Sequence, residues 1–449
     1  MKTRSEGWHK LIPALILFLL TYILMLSLPK YRPVTALSSA AVFILLGLFG
    51  VFDFSPLDAF LSIDFNVLMM MAGTMGIVTL FIESRMPARL SELMIAKVPS
   101  VKWAVLLLSL FAGLISAFVD NVATVLMVAP VGLAISRKLK ISPVPVIIAI
   151  AVSSNLQGAA TLVGDTTSIL LGGFADMNFF EFFWMRGKPG IFFAVELGAI
   201  ASLIVLLFLF RKDNQPISAE VTTKVDDYFP SALMIGTVLF LICASFIPEP
   251  DGGIPLTLYN LRSGIICMAL CIIGIVRDMI RHSRKDMLFK VLEDLDRDTL
   301  LLLTGLFIVI EGINKAGVID AAAGLFHNIA GDNPFVLYTL LVFVSVVLSA
   351  FIDNIPYVAA MLPVVQGIAG LMNGGAGVEP YVFYFGLLIG ATLGGNLTPI
   401  GASANIAAIG ILRKNGEKVT SKDFLRIGIP FTLAAVLVGY AVIWLVWGI

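Results

Sequence analysis

The stretch Ser116-Ala-Phe-Val-Asp-Asn-Val122 occurs twice in this chain, because Ser349-Ala-Phe-Ile-Asp-Asn-Ile355 repeats it 233 residues later. Upstream of the two copies, the segment from Asp64 to Gly73 aligns with the segment from Asp296 to Gly305 at nearly the same distance. Self-similarity that keeps its order over a fixed distance indicates a duplicated unit. The Asp-Asn pair at the centre of each copy is therefore a marker of equivalent positions.

The repeat continues downstream of these copies. Thr161-Leu-Val-Gly164 has its counterpart in Thr398-Pro-Ile-Gly401. The alignment divides the chain into a first repeat at 1–212 and a second repeat at 229–449. A polar segment at 213–228 joins them and is predicted to be a cytoplasmic linker.

The composition excludes most classes of soluble protein. Of the 449 residues, 59% are hydrophobic and 13% are charged, whereas soluble domains average about 45–50% and about 25%. The 30 basic residues balance the 30 acidic ones, so no basic face for nucleic acid is expected. Since roughly 20 apolar residues span a bilayer, the chain is predicted to be an all-α polytopic membrane protein embedded in lipid.

Four apolar runs form two closely spaced pairs, at 103–136 and at 334–371. Each pair is interrupted only by a short polar tip, Asp120-Asn121 or Asp353-Asn354. A run of this length with a polar centre is typical of a re-entrant hairpin, which enters and leaves the membrane on one side. Irregular backbone at membrane depth is tolerated where protein or a water-filled cavity surrounds it.

Two longer runs, at 143–175 and 381–411, contain Gly, Thr, Ser and Asp or Asn in their middle and are predicted to be broken helices. With the hairpins set aside, each repeat has five spans. Because five is odd, the second repeat inserts upside down, and inverted repeats with broken helices are typical of secondary transporters. With both termini outside, 23 of the 30 basic residues lie on the inner side of a cell (inner) membrane, as the positive-inside rule requires.

The candidate binding residues occupy the hairpin tips and the centres of the broken helices. Polar groups deep in a membrane are costly and commonly functional, and each tip precedes a half-helix whose N–H groups and dipole face the site. Glycine permits unwinding, which frees backbone oxygens as ligands. The predicted substrate- and ion-binding residues are Asp120, Asn121, Thr124, Asn155, Thr161, Gly164, Asp165, Thr166, Thr167, Ser168, Asp353, Asn354, Asn396, Thr398, Gly401, Ser403 and Asn405.

Two structural alternatives apply to these residues: an Asp or Asn that caps a half-helix, and small residues that serve close helix packing. Asp165 stands out because a carboxylate in an unwound segment can bind a cation or exchange a proton. Na⁺ could be held at Asp165 or at the hairpin tips. The sequence contains no Walker, dinucleotide-binding or zinc motif, so no cofactor is expected beyond a transported or coupling Na⁺ or H⁺, and no enzymatic activity.

These motifs resemble the ion transporter superfamily, and within it the branch of arsenite permeases, NhaD-type sodium/proton antiporters and melanosomal P protein. The markers are the motif at 116–122, Gly-Ala-Ala-Thr-Leu-Val-Gly-Asp at 158–165, and Gly-Gly-Asn-Leu-Thr-Pro-Ile-Gly-Ala-Ser-Ala-Asn at 394–405. The resemblance implies a homodimer that transports a small inorganic ion by alternating access with an elevator-like movement. For the arsenite permeases it also implies an arsenical ATPase subunit as an optional partner.

The markers point to different substrates. Gly164-Asp165-Thr166-Thr167 is similar to the NhaD-type pattern, whereas 394–405 is similar to the arsenite permease and P protein side. The leading hypothesis is a proton- or sodium-coupled arsenite or antimonite permease, with a sodium/proton antiporter nearly level. An anion channel similar to P protein is the alternative of another class. A carboxylate symporter of the distant dicarboxylate branch is disfavoured, because acidic tips repel a carboxylate substrate.

Overall fold

The computed structural model of the protein describes residues 2–138, 141–216, 221–281, 286–372 and 378–448. Part of the predicted linker, residues 217–220, therefore lies outside the described residues. The same holds for Lys140, Arg284 and Lys285, three of the basic residues that the charge distribution assigns to the inner side.

The first half of the chain is helical apart from one short hairpin of two antiparallel strands. Its elements are α1 (Lys2–Ser27), α2 (Arg32–Leu48), α3 (Pro56–Leu61), α4 (Phe65–Glu83), α5 (Met86–Ile95), α6 (Val101–Ser116), α7 (Asn121–Lys138), α8 (Pro143–Gln157), α9 (Thr166–Phe174), β1 (Trp184–Met185), β2 (Lys188–Pro189) and α10 (Ile191–Leu209). Short 3₁₀ turns lie at Pro29–Tyr31, Gly158–Ala160 and Phe180–Phe182.

The second half repeats the order of the helices, without a counterpart of the β1–β2 hairpin among the described residues, and adds one helix, α12. Its elements are α11 (Phe229–Ala244), α12 (Gly253–Asn260), α13 (Arg262–Arg281), α14 (Met287–Asp294), α15 (Arg297–Lys315), α16 (Val318–Ala330), α17 (Pro334–Ser349), α18 (Asn354–Leu371), α19 (Tyr381–Leu388), α20 (Ser403–Lys414) and α21 (Ser421–Trp447). A π-helical turn at Ile389–Leu393 and a 3₁₀ turn at Gly395–Leu397 follow α19.

The all-α, multi-span prediction is confirmed. Within the described ranges, eight helices are long and apolar enough to cross a membrane, or nine if α15 and α16, bent by 72°, form one span. This number differs from the ten predicted spans. Two predicted spans are missing from it, because α11 has only 16 residues and α19 is interrupted, whereas α18, an arm of a predicted hairpin, is long enough to be included. The division into five and five spans stays a prediction.

Helix packing pairs the two halves crosswise. Helix α4 packs on α13 in the way that α15 packs on α2. Both contacts are made close by a glycine, since Gly73 faces the backbone of Cys267 and Gly305 faces that of Ala36. Small residues let helix backbones approach in a membrane. This matched packing agrees with a duplicated unit, and the inverted orientation of the second repeat stays a prediction. Helix α20 packs on α7 and α8, and α18 packs on α9, so the two halves also meet through these helices.

The interior position of the broken helices follows from their burial. In the stretch 143–160, which contains α8 and the turn after it, 94% of the residues are buried, whereas only 17% are buried in the membrane-length stretch of α1. A helix that is apolar all round and buried belongs to the centre of a bundle. The unwound ends of α8 and α19 therefore lie inside the protein, away from lipid.

An ion pair joins the linker to α13. The Asp227 carboxylate accepts hydrogen bonds from both terminal nitrogens of the Arg277 guanidinium, and this contact holds the pKa of Asp227 below its usual range. Such a pair contributes stability above the ordinary Asp pKa of about 3.9, and the contribution disappears as the pH falls through the lowered pKa.

We therefore expect the Asp227→Asn variant to melt below the wild-type protein at pH 7, and the difference in Tm to shrink below about pH 4. Thermal unfolding of purified protein in detergent from pH 7 to pH 3 measures this. Asp226→Asn is the matched control, because its exposed neighbouring side chain should leave Tm unchanged. A difference that stays constant across this pH range would contradict the assignment.

Candidate functional site

Each hairpin tip ends in an aspartate that caps the following half-helix. Asp120 Oδ1 accepts hydrogen bonds from the backbone N–H groups of Val122 and Ala123, at 2.9 and 3.1 Å. Asp353 Oδ1 accepts one from the Ile355 N–H at 3.2 Å. Capping thus engages one oxygen of each carboxylate and leaves the second oxygen for other partners.

Asp165 lies at the centre of the first broken helix, where it caps α9. Its Oδ1 accepts hydrogen bonds from the Thr166 N–H at 2.9 Å and from Asn121 Nδ2 at 3.3 Å. Its Oδ2 accepts one from the Thr167 hydroxyl at 2.8 Å. Only 4% of the residue is exposed. Asp165 therefore joins the first hairpin tip to the first broken helix.

Asn155 connects the two halves of the chain. Its Oδ1 accepts a hydrogen bond from Asn121 at 2.9 Å, and its Nδ2 donates to the Thr392 carbonyl at 2.8 Å and to Asn396 Oδ1 at 3.1 Å. The hydroxyls of Thr167 and Thr392 lie 3.0 Å apart. The polar centre is thus one connected network, and its link between the halves runs through the broken helices rather than through direct contact of the tips.

Two threonines attach the broken helices to the hairpins in the same way. The Thr161 hydroxyl donates to the Ala117 carbonyl, and the Thr398 hydroxyl donates to the Ala350 carbonyl. Each acceptor is the residue after the last residue of a first hairpin arm. Thr161 and Thr398 therefore fix the backbone of each broken helix against the backbone of the neighbouring hairpin, so their role is to position these segments.

Gly164 and Gly401 are needed here for close approach. A Cβ on Gly164 would lie 2.7 Å from the Gly158 carbonyl oxygen and 2.9 Å from that of Ala117. Gly401 is enclosed in the same way by carbonyl oxygens, that of Gly395 at 2.6 Å being the closest. Neither glycine has a positive φ. The close carbonyl oxygens, rather than a left-handed backbone conformation, are therefore what requires glycine at these two positions in the unwound segments.

Four further predicted residues are buried polar groups. Ser168 donates to the Gly158 carbonyl at 3.1 Å, and Asn405, its counterpart, donates to the Gly395 carbonyl at 3.2 Å. Thr124 and Asn354 are 0% and 3% exposed. The Thr124 hydroxyl and Asn354 Nδ2 have no hydrogen-bond partner among the described residues.

A cavity of about 430 Å³ lies between α4, α7 and α9. Asp120, Asp165 and Thr166 line it together with Asp294, Asp296 and the ion pair Lys290–Glu83, whose nitrogen and oxygen are 2.5 Å apart. Across the described parts of the chain, no Lys, Arg or His lies within ion-pair distance of Asp120 or Asp165. Lys290, the basic residue of this lining, is paired with Glu83 instead.

The second tip differs in its charge balance. Asp353 Oδ2 lies 2.8 Å from the Arg32 guanidinium and accepts a hydrogen bond from the Ser403 hydroxyl at 3.3 Å. Asp353 is 5% exposed. The repeat predicts that the two tips are equivalent. In the structure, Asp353 is paired with an arginine, whereas Asp120 faces a cavity.

Sequence reasoning missed Arg32 and Thr392. Arg32 is one of the basic residues that the charge distribution places on the inner side, and its partner Asp353 is 321 residues away. Thr392 lies in the π-helical turn before Asn396, and the only signal was a hydroxyl within the otherwise apolar run at 381–393.

Comparisons with known proteins agree on the family and the fold. The sequence model of the citrate transporter family matches residues 22–387. An uncharacterized transporter of Mycobacterium tuberculosis is 30% identical over 439 residues, covering 97% of this chain and 98% of the relative. The P protein of Mus musculus is 25% identical over 84% of this chain and 53% of its own length.

Two solved structures share the fold at low sequence identity. The YdaH transporter of Alcanivorax borkumensis superposes with a TM-score of 0.59 at 15% identity, covering 94% of this chain and 98% of that chain. MtrF of Neisseria gonorrhoeae, from a class of antimetabolite efflux pumps, gives 0.58 at 14% identity and covers 99% and 97%.

The resemblance to the ion transporter superfamily is confirmed by the family match and by the similarity to an uncharacterized transporter and to P protein. The chain is a multi-span membrane transporter, and it belongs to the citrate transporter family of that superfamily.

Proposed function

We propose that this protein is a secondary active transporter that exchanges a small inorganic cation, Na⁺ being the first candidate, for protons by alternating access. The supporting observation is that Asp120 and Asp165 border one cavity, with no basic side chain of the described residues within ion-pair distance of either, while Lys290 of the same lining is paired with Glu83. It acts in the cell membrane, with both termini outside and as a homodimer, which are expectations from the charge distribution and the resemblance.

The chemistry of the cavity favours a cation. A buried carboxylate is costly unless its charge is compensated. A monovalent cation 4 Å from it interacts by about 4 kcal/mol at an effective dielectric constant of 20. A proton compensates the same charge, so H⁺ and Na⁺ compete for Asp120 and Asp165. Such competition at a site with alternating access is sufficient to couple two opposite fluxes.

Arsenite and antimonite permeation is the second candidate. The cavity is also lined by the side chains of Thr74, Thr79 and Thr166, and hydroxyl groups suit a neutral arsenic or antimony hydroxide. The buried cysteines Cys267 and Cys271, which a trivalent arsenic could bind, do not line this cavity. They pack against Gly73 and Gly76 instead.

Carboxylate transport is less favoured, despite the name of the family. An anionic substrate in this cavity would meet Asp120, Asp165, Asp294 and Asp296, with Lys290 already paired to Glu83. Like charges in a low dielectric repel strongly. An anion channel would meet the same carboxylates.

The deciding experiment uses purified protein in sealed proteoliposomes with an internal pH indicator and an imposed pH gradient. We expect Na⁺ to dissipate the gradient with saturable kinetics, and arsenite, citrate and K⁺ to have smaller effects. Empty liposomes are the control. Citrate- or arsenite-dependent proton flux without a response to Na⁺ would replace the proposal with the corresponding alternative, and single-channel currents would exclude a transporter.

A further inference from the structure

Two arginines occupy corresponding places in the two repeats. Arg32 is the first residue of α2, and Arg262 is the first residue of α13. These helices make the matched contacts described above, with Ala36 of α2 against Gly305 and Cys267 of α13 against Gly73. Counted from those contacts, Arg32 and Arg262 lie within one residue of equivalence. Each repeat therefore has a cation at the start of a helix that packs on the opposite repeat.

The two arginines have different partners. Arg32 forms the ion pair with Asp353 at 2.8 Å. Arg262 forms no ion pair within the described parts of the chain; its guanidinium donates to the Tyr259 carbonyl at 2.8 Å and lies 3.8 Å from the centre of the Tyr259 ring. Asp120, the equivalent of Asp353, has no ion-pair partner in the described residues.

The aspartates that cap α4 and α15 show the same asymmetry. Asp296 caps α15 and lines the cavity that contains Asp120. Its equivalent Asp64 caps α4 and lines a cavity of about 380 Å³ that is bordered by α18 but does not include Asp353. The contacts on the two sides are thus unequal, although the residues that make them are equivalent.

Alternating access moves one repeat or bundle against the other around the site, and for two repeats of related sequence we treat this movement as an exchange of their two conformations. After this exchange, each contact that one repeat makes now is made by the equivalent residues of the other repeat. Asp353 would then leave Arg32 and face the cavity of Asp64, and Asp120 would leave the cavity of Asp296 and meet the counterpart of Arg32.

We propose that Arg262 is the counter-ion of Asp120 in the oppositely facing state, and that Arg32 and Arg262 alternate in neutralising the two hairpin tips. The inference rests on the proposed alternating access. A guanidinium on Asp120 competes directly with a transported cation for the same carboxylate. Arg262 therefore promotes release of the cation at the outer side, which makes it a coupling residue that sequence analysis gave no reason to select.

Cross-linking tests the predicted contact without any transport assay. In a background without Cys243, Cys267 and Cys271, we introduce the pair Asp120→Cys/Arg262→Cys and treat proteoliposomes with a short bifunctional thiol reagent. The pair Arg32→Cys/Asp353→Cys is the positive control for the described state, and Asp120→Cys/Arg186→Cys is the negative control. We expect both the 120–262 and the 32–353 pairs to cross-link at least fivefold above the negative control.

A second measurement uses intact side chains. Arg262→Gln should slow exchange at least tenfold while leaving the concentration of cation required at the cavity side unchanged. Arg262→Lys should restore most of the rate, and Arg186→Gln should have no effect. Efficient 32–353 cross-linking with 120–262 at background, or an Arg262→Gln rate equal to that of wild type, overturns the inference. If wild-type protein exchanges no cation but 120–262 still cross-links, the proposed function fails and the contact stands.

Discussion

Asp165→Asn is expected to lower the rate of cation–proton exchange by at least about 100-fold while the protein stays folded. The change removes the charge that compensates a bound cation, an interaction of about 4 kcal/mol at 4 Å and an effective dielectric constant of 20, and every 1.4 kcal/mol is about tenfold. The amide oxygen can still accept the hydrogen bond from the Thr166 N–H, and the amide nitrogen that replaces Oδ2 can donate to the Thr167 hydroxyl, which accepts as well as donates. The measurement is Na⁺-driven dissipation of a pH gradient in proteoliposomes.

The matched control lies at the other end of the same helix. Asp176 is exposed and follows α9 with a φ of 50°, a conformation that Asn adopts as readily as Asp. Asp176→Asn should therefore leave exchange unchanged. If Asp165→Asn keeps more than half of the wild-type rate at an unchanged Tm, the role of Asp165 as the central ion-binding carboxylate is wrong.

Gly164→Ala and Gly401→Ala are each expected to destabilise the protein by about 3 kcal/mol, the upper end of the usual range for overpacking. The added methyl group would meet three carbonyl oxygens at each site, all within 2.9 Å. Backbone oxygens on both sides cannot turn away as a side chain can, so hairpin and broken helix must separate. Thermal unfolding in detergent should show a clear fall in Tm, with loss of exchange in the same samples.

Gly410 provides the control for this prediction. It lies in α20, the helix that follows Gly401, and a Cβ there would meet nothing within 4 Å. Gly410→Ala should keep or raise Tm, because alanine favours a helix over glycine by about 1 kcal/mol. Equal behaviour of all three glycine variants would show that close approach at Gly164 and Gly401 is not what stabilises the broken helices.

The bounds of the paired helices and the position of the breaks could be predicted because they depend on local patterns, whereas the re-entrant course of the helix pairs stays a prediction. The second hairpin, predicted at 334–371, is bounded in the structure by Pro334 and Leu371. The first was predicted at 103–136 and extends over α6 and α7, from Val101 to Lys138. A polar pair within a long apolar run marks such a tip without any knowledge of distant contacts.

Contacts between distant segments could not be predicted in this way. The Arg32–Asp353 pair depends on how α2 packs beside the second hairpin, and the sequence around Arg32 resembles any positively charged loop. Thr392 is brought to the network by a π-helical turn. Such a turn contains one residue more than an α-helical turn, so the side chains in and after it point in other directions than an α-helical pattern predicts. The repeat predicted which positions are equivalent, but not that the two halves would adopt different contacts.

The hydrogen bonds of Asn155 bear on the order in which the protein is assembled. Its side-chain amide finds its acceptors at Thr392 and Asn396, the latter 241 residues further along the chain. During synthesis, the first repeat enters the membrane with this amide group unsatisfied, at a cost of a few kcal/mol. The hydrogen bonds at the centre of the first repeat are therefore completed only after the second broken helix has been made.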